Sequence, residues 1–252
     1  METPPYFDAF PDFALERTPS GVLTLRLHSE GEPALLGTRL HRDFPRVLRE
    51  ISDDRENRVL VLTGTGDHFM TNMDVSEDRQ AFKPLNWDEI YWEGRQVLRA
   101  LVDLPMPLVA AINGPATIHS EWVLLGDITI ASDTAHFQDF PHMAGEVVPS
   151  DGIHVVWEEI LGINRARYAA LTQQVIPADE ALRLGMVNEV LPFAEVLPRA
   201  LELAESLAAR PPLLLRLTPL ALRQRLARRL EEGATLGLAL EGLSMADKPY
   251  QG

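Results

Sequence analysis

Residues 107–114 read Pro-Leu-Val-Ala-Ala-Ile-Asn-Gly. The unbroken apolar run Leu108 to Ile112, closed at once by Asn113-Gly114-Pro115, describes a strand buried on both faces, since a strand with one wet face alternates instead. Outward from it, Val59-Leu60-Val61-Leu62 is a second such run, ended by Gly64-Thr65-Gly66-Asp67, and Ile128-Thr129-Ile130-Ala131 is a third. Helical spacing covers Trp87 to Leu104, and a short helix is expected around Trp122. Strands separated by helices in this way imply parallel βαβ units. On the N-terminal side, Leu23, Leu25 and Leu27 alternate with polar residues as in a half-buried strand, and Leu40, Phe44, Val47 and Leu48 place a helix over Arg39 to Ile51. Met1 to Thr18 and Met70 to Pro84 show little period and read as irregular.

Beyond Pro177 the pattern is almost wholly helical: Ala178 to Leu184, Phe193 to Ala209, then Leu213 to Ala239 with at least one break near Pro219 or Gly233. The expected fold is α/β, with a core over residues 1–195 and a C-terminal helical region over 196–252.

Composition narrows the function. The 252 residues include no cysteine, which excludes disulfides, thiolate metal sites and a cysteine nucleophile. A net charge of −14, from 37 acidic against 23 basic residues, argues against a nucleic-acid partner. No apolar run approaches the ~20 residues of a membrane span and the N-terminus is not a basic leader, so no membrane partner and a cytoplasmic location are expected.

Several segments, taken together and in order, carry a resemblance. They are Val59 to Gly64 with Phe69 and Asp74, Pro107 to Gly114, Asp127-Ile128, Ala135-His136-Phe137, Pro149 with Asp151-Gly152, and Gly185-Met186-Val187-Asn188-Glu189-Val190. From about residue 20 to 210 the chain resembles the crotonase (enoyl-CoA hydratase/isomerase) superfamily, which implies a spiral of ββα turns and trimers or pairs of trimers. Thioester-using members carry an Ala-Gly pair before the Asp and a glycine-rich turn after the Asn-Gly strand end. Here Thr71-Asn72-Met73-Asp74 and Ala116-Thr117-Ile118-His119-Ser120 stand instead. Bulky residues where backbone N–H groups should approach a thioester oxygen predict poor binding of CoA thioesters.

Three segments resemble the β-diketone hydrolase branch typified by 6-oxocamphor hydrolase: Gly114 to Glu121, Phe137-Gln138-Asp139-Phe140-Pro141-His142, and Val148 to Trp157. That resemblance implies hydrolysis of the carbon–carbon bond between two carbonyls of a cyclic or bicyclic diketone, without CoA or another cofactor. It implies catalytic positions at His142, Asp151, His119 and Glu241. Asp151 is expected to orient His142, and its Pro-Ser-Asp-Gly setting also suits a helix cap, a role that competes for the same oxygens. His119 and Glu121, two apart, do not share a helix face, so Glu241 is expected as the partner of His119. Glu241→Gln should then move the alkaline limb of the pH–rate profile.

The rival enzyme is an enoyl-CoA hydratase/isomerase with Glu121 as base, although Glu121 alone reads as a surface helix residue. A scaffold without activity is the third possibility. His28, His41, His68, His136 and His154 read as structural, the tryptophans mostly as core, and Arg223, Arg225, Arg228 and Arg229 as the polar face of a helix. No metal is expected from the ligand spacing.

Overall fold

The computed structural model describes residues 3–74 and 84–246. After a short turn of helix at Pro5–Asp8, the elements run β1 (Phe13–Arg17), β2 (Val22–Leu27), β3 (Leu35–Leu36), α1 (Thr38–Asp53), β4 (Val59–Thr63), β5 (Asn72–Met73), α2 (Pro84–Val102) and β6 (Leu108–Ile112). There follow α3 (Ser120–Leu124), β7 (Ile128–Ser132), β8 (His136–Phe137), α4 (Pro141–Ala144), α5 (Ile153–Leu161) and α6 (Ile163–Thr172). The chain ends with β9 (Ile176–Pro177), α7 (Ala178–Leu184), β10 (Glu189–Leu191), α8 (Phe193–Ala208) and α9 (Pro212–Met245).

The main sheet has the order β1-β2-β4-β6-β7-β10, parallel except for the β1–β2 hairpin. The three runs picked out by hydropathy lie side by side at its centre, Leu60 opposite Leu108 and Val109 opposite Ile128. Both faces are covered. Leu60, Leu62, Leu108, Ala110 and Ile112 point into the larger core, while Val59, Val61, Val109, Ala111 and Ile130 meet Val196, Ala200, Ala204 and Ala208 of α8. The i, i+4 spacing of these small residues lets α8 lie close on the sheet. Burying a Leu or Val of this kind contributes about 1.5–3 kcal/mol.

Core strands are followed by a second, short strand or bridge that turns away from the sheet. Those outer pieces pair with one another: β3 with β5, then Met70 with Ala116, then Ala116 with Phe137. This is the ββα spiral, and it carries the chain after β6 and after β7 to the same place.

The N-terminal segment expected to be irregular contains β1, whose burial alternates but whose sequence period is blurred by an apolar Ala14 on the exposed face and Arg17 on the inward one. Of the expected loop from Met70, residues 75–83 lie outside the described residues. The break expected near Pro219 or Gly233 is absent, since α9 is continuous. Packing overrides both helix breakers: Pro219 is buried, and a Cβ on Gly233 would stand 2.5 Å from the Val155 side chain. Arg223 is likewise not on the polar face but buried. It donates to Asp127 through Nε at 2.8 Å, to Asp127 again through Nη2, and to the carbonyls of Leu104 and Met106. Asp127 also accepts from the N–H of Leu108, so this pair ties the middle of α9 to the start of β6. The boundary expected after residue 195 falls inside α8. Among the described residues no helix is long and apolar enough to cross a membrane.

Candidate active site

Four stretches of chain converge at one place. After β6, the N–H groups of Thr117 and Ile118 both donate to the Met70 carbonyl, at 3.0 and 3.2 Å. His119 then takes a left-handed conformation (φ 47°, ψ 44°) as the first residue before α3, at a cost on the order of 1 kcal/mol for a residue other than glycine. Its ring lies flat on Trp122, with centroids 4.2 Å apart and planes 6° apart. After β8, Asp139 leads into α4, which carries His142. Asp151 precedes α5. Glu241 arrives on α9, whose Gly237, one turn earlier, touches the loop before α5: a Cβ there would stand 2.1 Å from the Ser150 carbonyl. Ser150 Oγ donates to the Gly237 carbonyl at 2.7 Å, and Trp87 Nε1 to that of Leu238 at 3.2 Å.

His119, His142, Asp151 and Glu241 are therefore brought together, but their pairing differs from expectation. Glu241 Oε1 lies 3.4 Å from His142 Nε2, so it partners His142 and not His119. His119 Nδ1 donates to Glu121 Oε1 at 2.7 Å and lies 3.2 Å from Asp151 Oδ2. The helix-face argument against a His119–Glu121 contact fails because His119, in its left-handed conformation, stands outside the helix. Asp151 Oδ2 also lies 3.6 Å from His142 Nε2, placing one carboxylate oxygen between the two imidazoles. Its other oxygen accepts the N–H of Ile153 at 3.3 Å, so helix start and site use different atoms.

Two further residues belong here. Glu121, expected on the surface, is completely buried, and among the described residues its Oε2 has no partner. Asp139 was not singled out from the sequence, yet its Oδ1 accepts from His142 Nδ1 at 2.5 Å. The signal available was Asp-Phe-Pro-His, a carboxylate one turn before the imidazole. Next to the site, His41 meets Glu93 at 2.9 Å and its ring centroid lies 5.9 Å from that of His119.

Electrostatically, four carboxylates surround two imidazoles. Burial disfavours the imidazolium of His142, but Asp151, Asp139 and Glu241 together hold its pKa well above the ordinary value. His119 shows the same balance, burial opposed by Glu121 and Asp151, with a net rise. Burial and the Asp151 charge push the Glu121 carboxyl up to about 6. Burial likewise pushes Glu241 up to about 7, against the hydrogen bond from His142. Asp151 is lowered: burial would raise it, and the two histidines outweigh burial. The Glu121 and Glu241 carboxyls are thus raised toward neutrality beside two imidazoles, a setting suited to acid–base chemistry. Burial also lowers His154.

The ligand atoms of His119, Glu121 and Asp151 lie within 4.8 Å of one another, a spacing a cation can use. In the structure His119 Nδ1 is instead turned toward both carboxylates, as a protonated donor would be.

A buried acid–base cluster on a ββα spiral defines a class of enzyme. Residues 17–246 match the enoyl-CoA hydratase/isomerase family, and the chain belongs to it, within the crotonase superfamily. A short-chain enoyl-CoA hydratase of Clostridium acetobutylicum is 31% identical over 73% of this chain and 70% of its own. Among solved structures, a β-diketone hydrolase from the cyanobacterium Anabaena sp. PCC 7120, bound to (S)-3-oxocyclohexyl acetic acid, matches with a TM-score of 0.96 and 42% identity, over 98% of this chain and 99% of that one. An enoyl-CoA hydratase/isomerase from Mycobacterium paratuberculosis shares the fold with a TM-score of 0.87 at 23% identity, over 94% of this chain and 95% of its own.

Proposed function

We propose that this enzyme hydrolyses the carbon–carbon bond between the two carbonyls of a cyclic or bicyclic β-diketone, a retro-Claisen cleavage that yields a keto acid and uses no CoA. The observation that carries the reading is the pair of buried imidazoles with Asp151 Oδ2 between them, at 3.2 Å from His119 and 3.6 Å from His142. The likeness to the Anabaena β-diketone hydrolase supports it.

His142, in its neutral form, takes a proton from water through Nε2 as the water oxygen bonds to one carbonyl carbon. The tetrahedral intermediate re-forms its C=O double bond and breaks the bond to the carbon between the carbonyls. The electron pair of that bond passes into the second carbonyl as an enolate. His119, held by Glu121 and Asp151, hydrogen-bonds the enolate oxygen, and the proton taken from water is returned to the carbon. Glu241, beside His142 Nε2, bears on that proton's residence. Such general acid–base assistance is worth about 10²–10⁴-fold in rate.

The hydratase reading gains one observation, the burial of Glu121 within the cluster. Against it, Glu121 Oε1 is engaged by His119, and the N–H groups of Thr117 and Ile118 are engaged by Met70. The deciding experiment incubates the enzyme with a bicyclic β-diketone in ¹⁸O-water and, separately, with crotonyl-CoA. Labelled keto acid with no hydration of the thioester is the expected result, and hydration of crotonyl-CoA without diketone cleavage refutes the proposal.

A further inference from the structure

The reaction scheme leaves unused the carboxylate that meets His142 most closely. Asp139 Oδ1 lies 2.5 Å from Nδ1, whereas Glu241 and Asp151 stand at 3.4 and 3.6 Å from the opposite nitrogen, Nε2. Asp139 is almost wholly buried, its hydrogen bond to His142 is the one it makes among the described residues, and its Oδ2 has no partner. Among the described residues no arginine or lysine pairs with it, and it caps no helix. A carboxylate desolvated to this degree costs several kcal/mol unless a partner compensates, and here the compensating group is the imidazole itself.

The segment that bears it is clamped on both sides. The Phe140 N–H donates to the Thr117 carbonyl at 3.2 Å, Gln138 Nε2 to the Gln173 carbonyl at 2.9 Å, and Gln173 Nε2 back to the Phe140 carbonyl at 3.2 Å. Pro141 then opens α4 with a fixed φ, which sets the turn between Asp139 and His142. These protein contacts hold the segment that carries the carboxylate.

We propose that Asp139 is the positioning residue of this site: it accepts the Nδ1–H of His142, and so fixes the tautomer whose Nε2 carries the free lone pair and aims that lone pair toward Asp151 and Glu241. The inference rests on the reading of His142 as the base and revises the part played by Asp151. Orientation of the ring belongs to Asp139, on the far nitrogen. Asp151 is left to hold the two imidazoles in one electrostatic unit, since a single oxygen of it faces both. A carboxylate on one imidazole nitrogen with the reactive nitrogen opposite is the arrangement by which an acidic residue sets tautomer and stabilises imidazolium elsewhere in acid–base catalysis.

Two measurements test this. In Asp139→Asn the charge is lost and the amide NH₂ can donate to Nδ1, which favours a proton on Nε2 and removes the lone pair that acts as base. Turnover of a cyclic β-diketone should fall about 10²–10⁴-fold, with KM little changed. The residual activity should show its acid limb at lower pH, because one of the charges facing the ring is gone; the others are Asp151, Glu241, His119 and His154. A purely structural carboxylate would lower the melting temperature and leave that limb in place. Unchanged turnover and an unchanged limb would overturn the proposal.

The second measurement is made on the wild-type enzyme. Nitrogen-15 spectra of the histidine-labelled enzyme, taken above the raised pKa of His142 and assigned with His142→Gln, should show Nδ1 protonated and Nε2 bare. A neutral His142 with its proton on Nε2 refutes the inference even if diketones are hydrolysed. Conversely, the Nδ1–H form in an enzyme that cleaves no diketone supports the positioning and defeats the reaction.

Discussion

At the scale of the residue, the proposed mechanism rests on one carboxylate oxygen and two rings, and substitutions there should act chiefly on rate. His142→Ala and Asp151→Asn are each expected to lower turnover of a β-diketone by more than about tenfold with circular dichroism close to wild type, and His142→Ala, which strands the buried Asp139 carboxylate, should also lower the melting temperature. Turnover near wild type in either purified variant would remove that residue from the mechanism. The pH dependence follows from charge. His142 must be neutral to act as base, and its neighbours hold its pKa well above the ordinary value. kcat/KM should therefore rise with pH through that raised pKa, on the alkaline side of an unperturbed histidine. Because Glu241 faces His142 Nε2 at 3.4 Å, Glu241→Gln removes a charge that favours imidazolium, and this acid limb should move to lower pH. Movement of an alkaline limb alone would return Glu241 to His119. The family resemblance pointed to all four of these residues and paired Asp151 with His142, which lie together, but Glu241 lies against His142 and not His119. Partner choice depends on a left-handed backbone at His119 and on where α9 passes, and neither is written in local spacing.

At the scale of the element, the most legible features were the continuous apolar runs. Leu108–Ile112 and its neighbours have no alternative but a strand with both faces covered, and α7 begins at Ala178 and ends at Leu184 as its pattern predicts. The long C-terminal helix was not legible as one piece. Pro219 and Gly233 are local breakers whose cost is overcome by contacts with α2 and α5 that no window of sequence contains. The same contacts deliver Glu241, and they can be perturbed one at a time. A Cβ at Gly237 would stand 2.1 Å from the Ser150 carbonyl, a backbone atom that cannot turn aside. Gly237→Ala should therefore displace α9 at the site, lowering stability by about 1–3 kcal/mol as overpacking does and lowering activity beyond what the loss of folded protein explains. Normal turnover and a normal melting temperature would show that α9 yields there without cost. Arg223→Met takes the cation from half-buried Asp127 and the donors from the Leu104 and Met106 carbonyls, and should destabilise by about 1–3 kcal/mol. Arg223 lies in the same helix but bonds Asp127 and main-chain carbonyls rather than the cluster, so the folded fraction should retain its turnover number.

At the scale of the whole molecule, α9 presents a problem that a single chain does not solve. It buries Leu215, Arg223, Leu230, Ala234 and Leu238 against its own fold, yet Leu213, Leu217 and Leu220 form an exposed stripe near one end, and Leu236, Leu240 and Leu243 another near the other. Each set follows i, i+4, i+7 spacing, so each is one continuous apolar face. A helix apolar on more than one side is ordinarily covered on more than one side, and contiguous exposed patches of this kind mark association surfaces. The crotonase resemblance implies trimers or pairs of trimers, and these leucines are the surface such an assembly would cover. Charge does not stand in the way: with −14 per chain, copies repel at long range, but a leucine contact is short-ranged and salt screens the repulsion within about 10 Å. The mass in solution, measured by sedimentation at micromolar concentration, should therefore be a multiple of 28.1 kDa, three or six times. Leu213→Glu with Leu217→Glu, both at positions exposed in the single chain, should shift the distribution toward 28.1 kDa without unfolding the sheet, since neither side chain belongs to its core. If wild type sediments as a monomer, or if the double variant keeps its full mass, the stripe at the start of α9 is not the assembly surface. Testing the second stripe with Leu236→Glu and Leu243→Glu adds the link to function. Glu241 lies between those two positions, so if assembly through this face seats α9, dissociation should reduce turnover through the same movement that Gly237→Ala produces, and the acid limb should shift with it. A dissociated variant with wild-type turnover and pH profile would show that each chain holds its site complete.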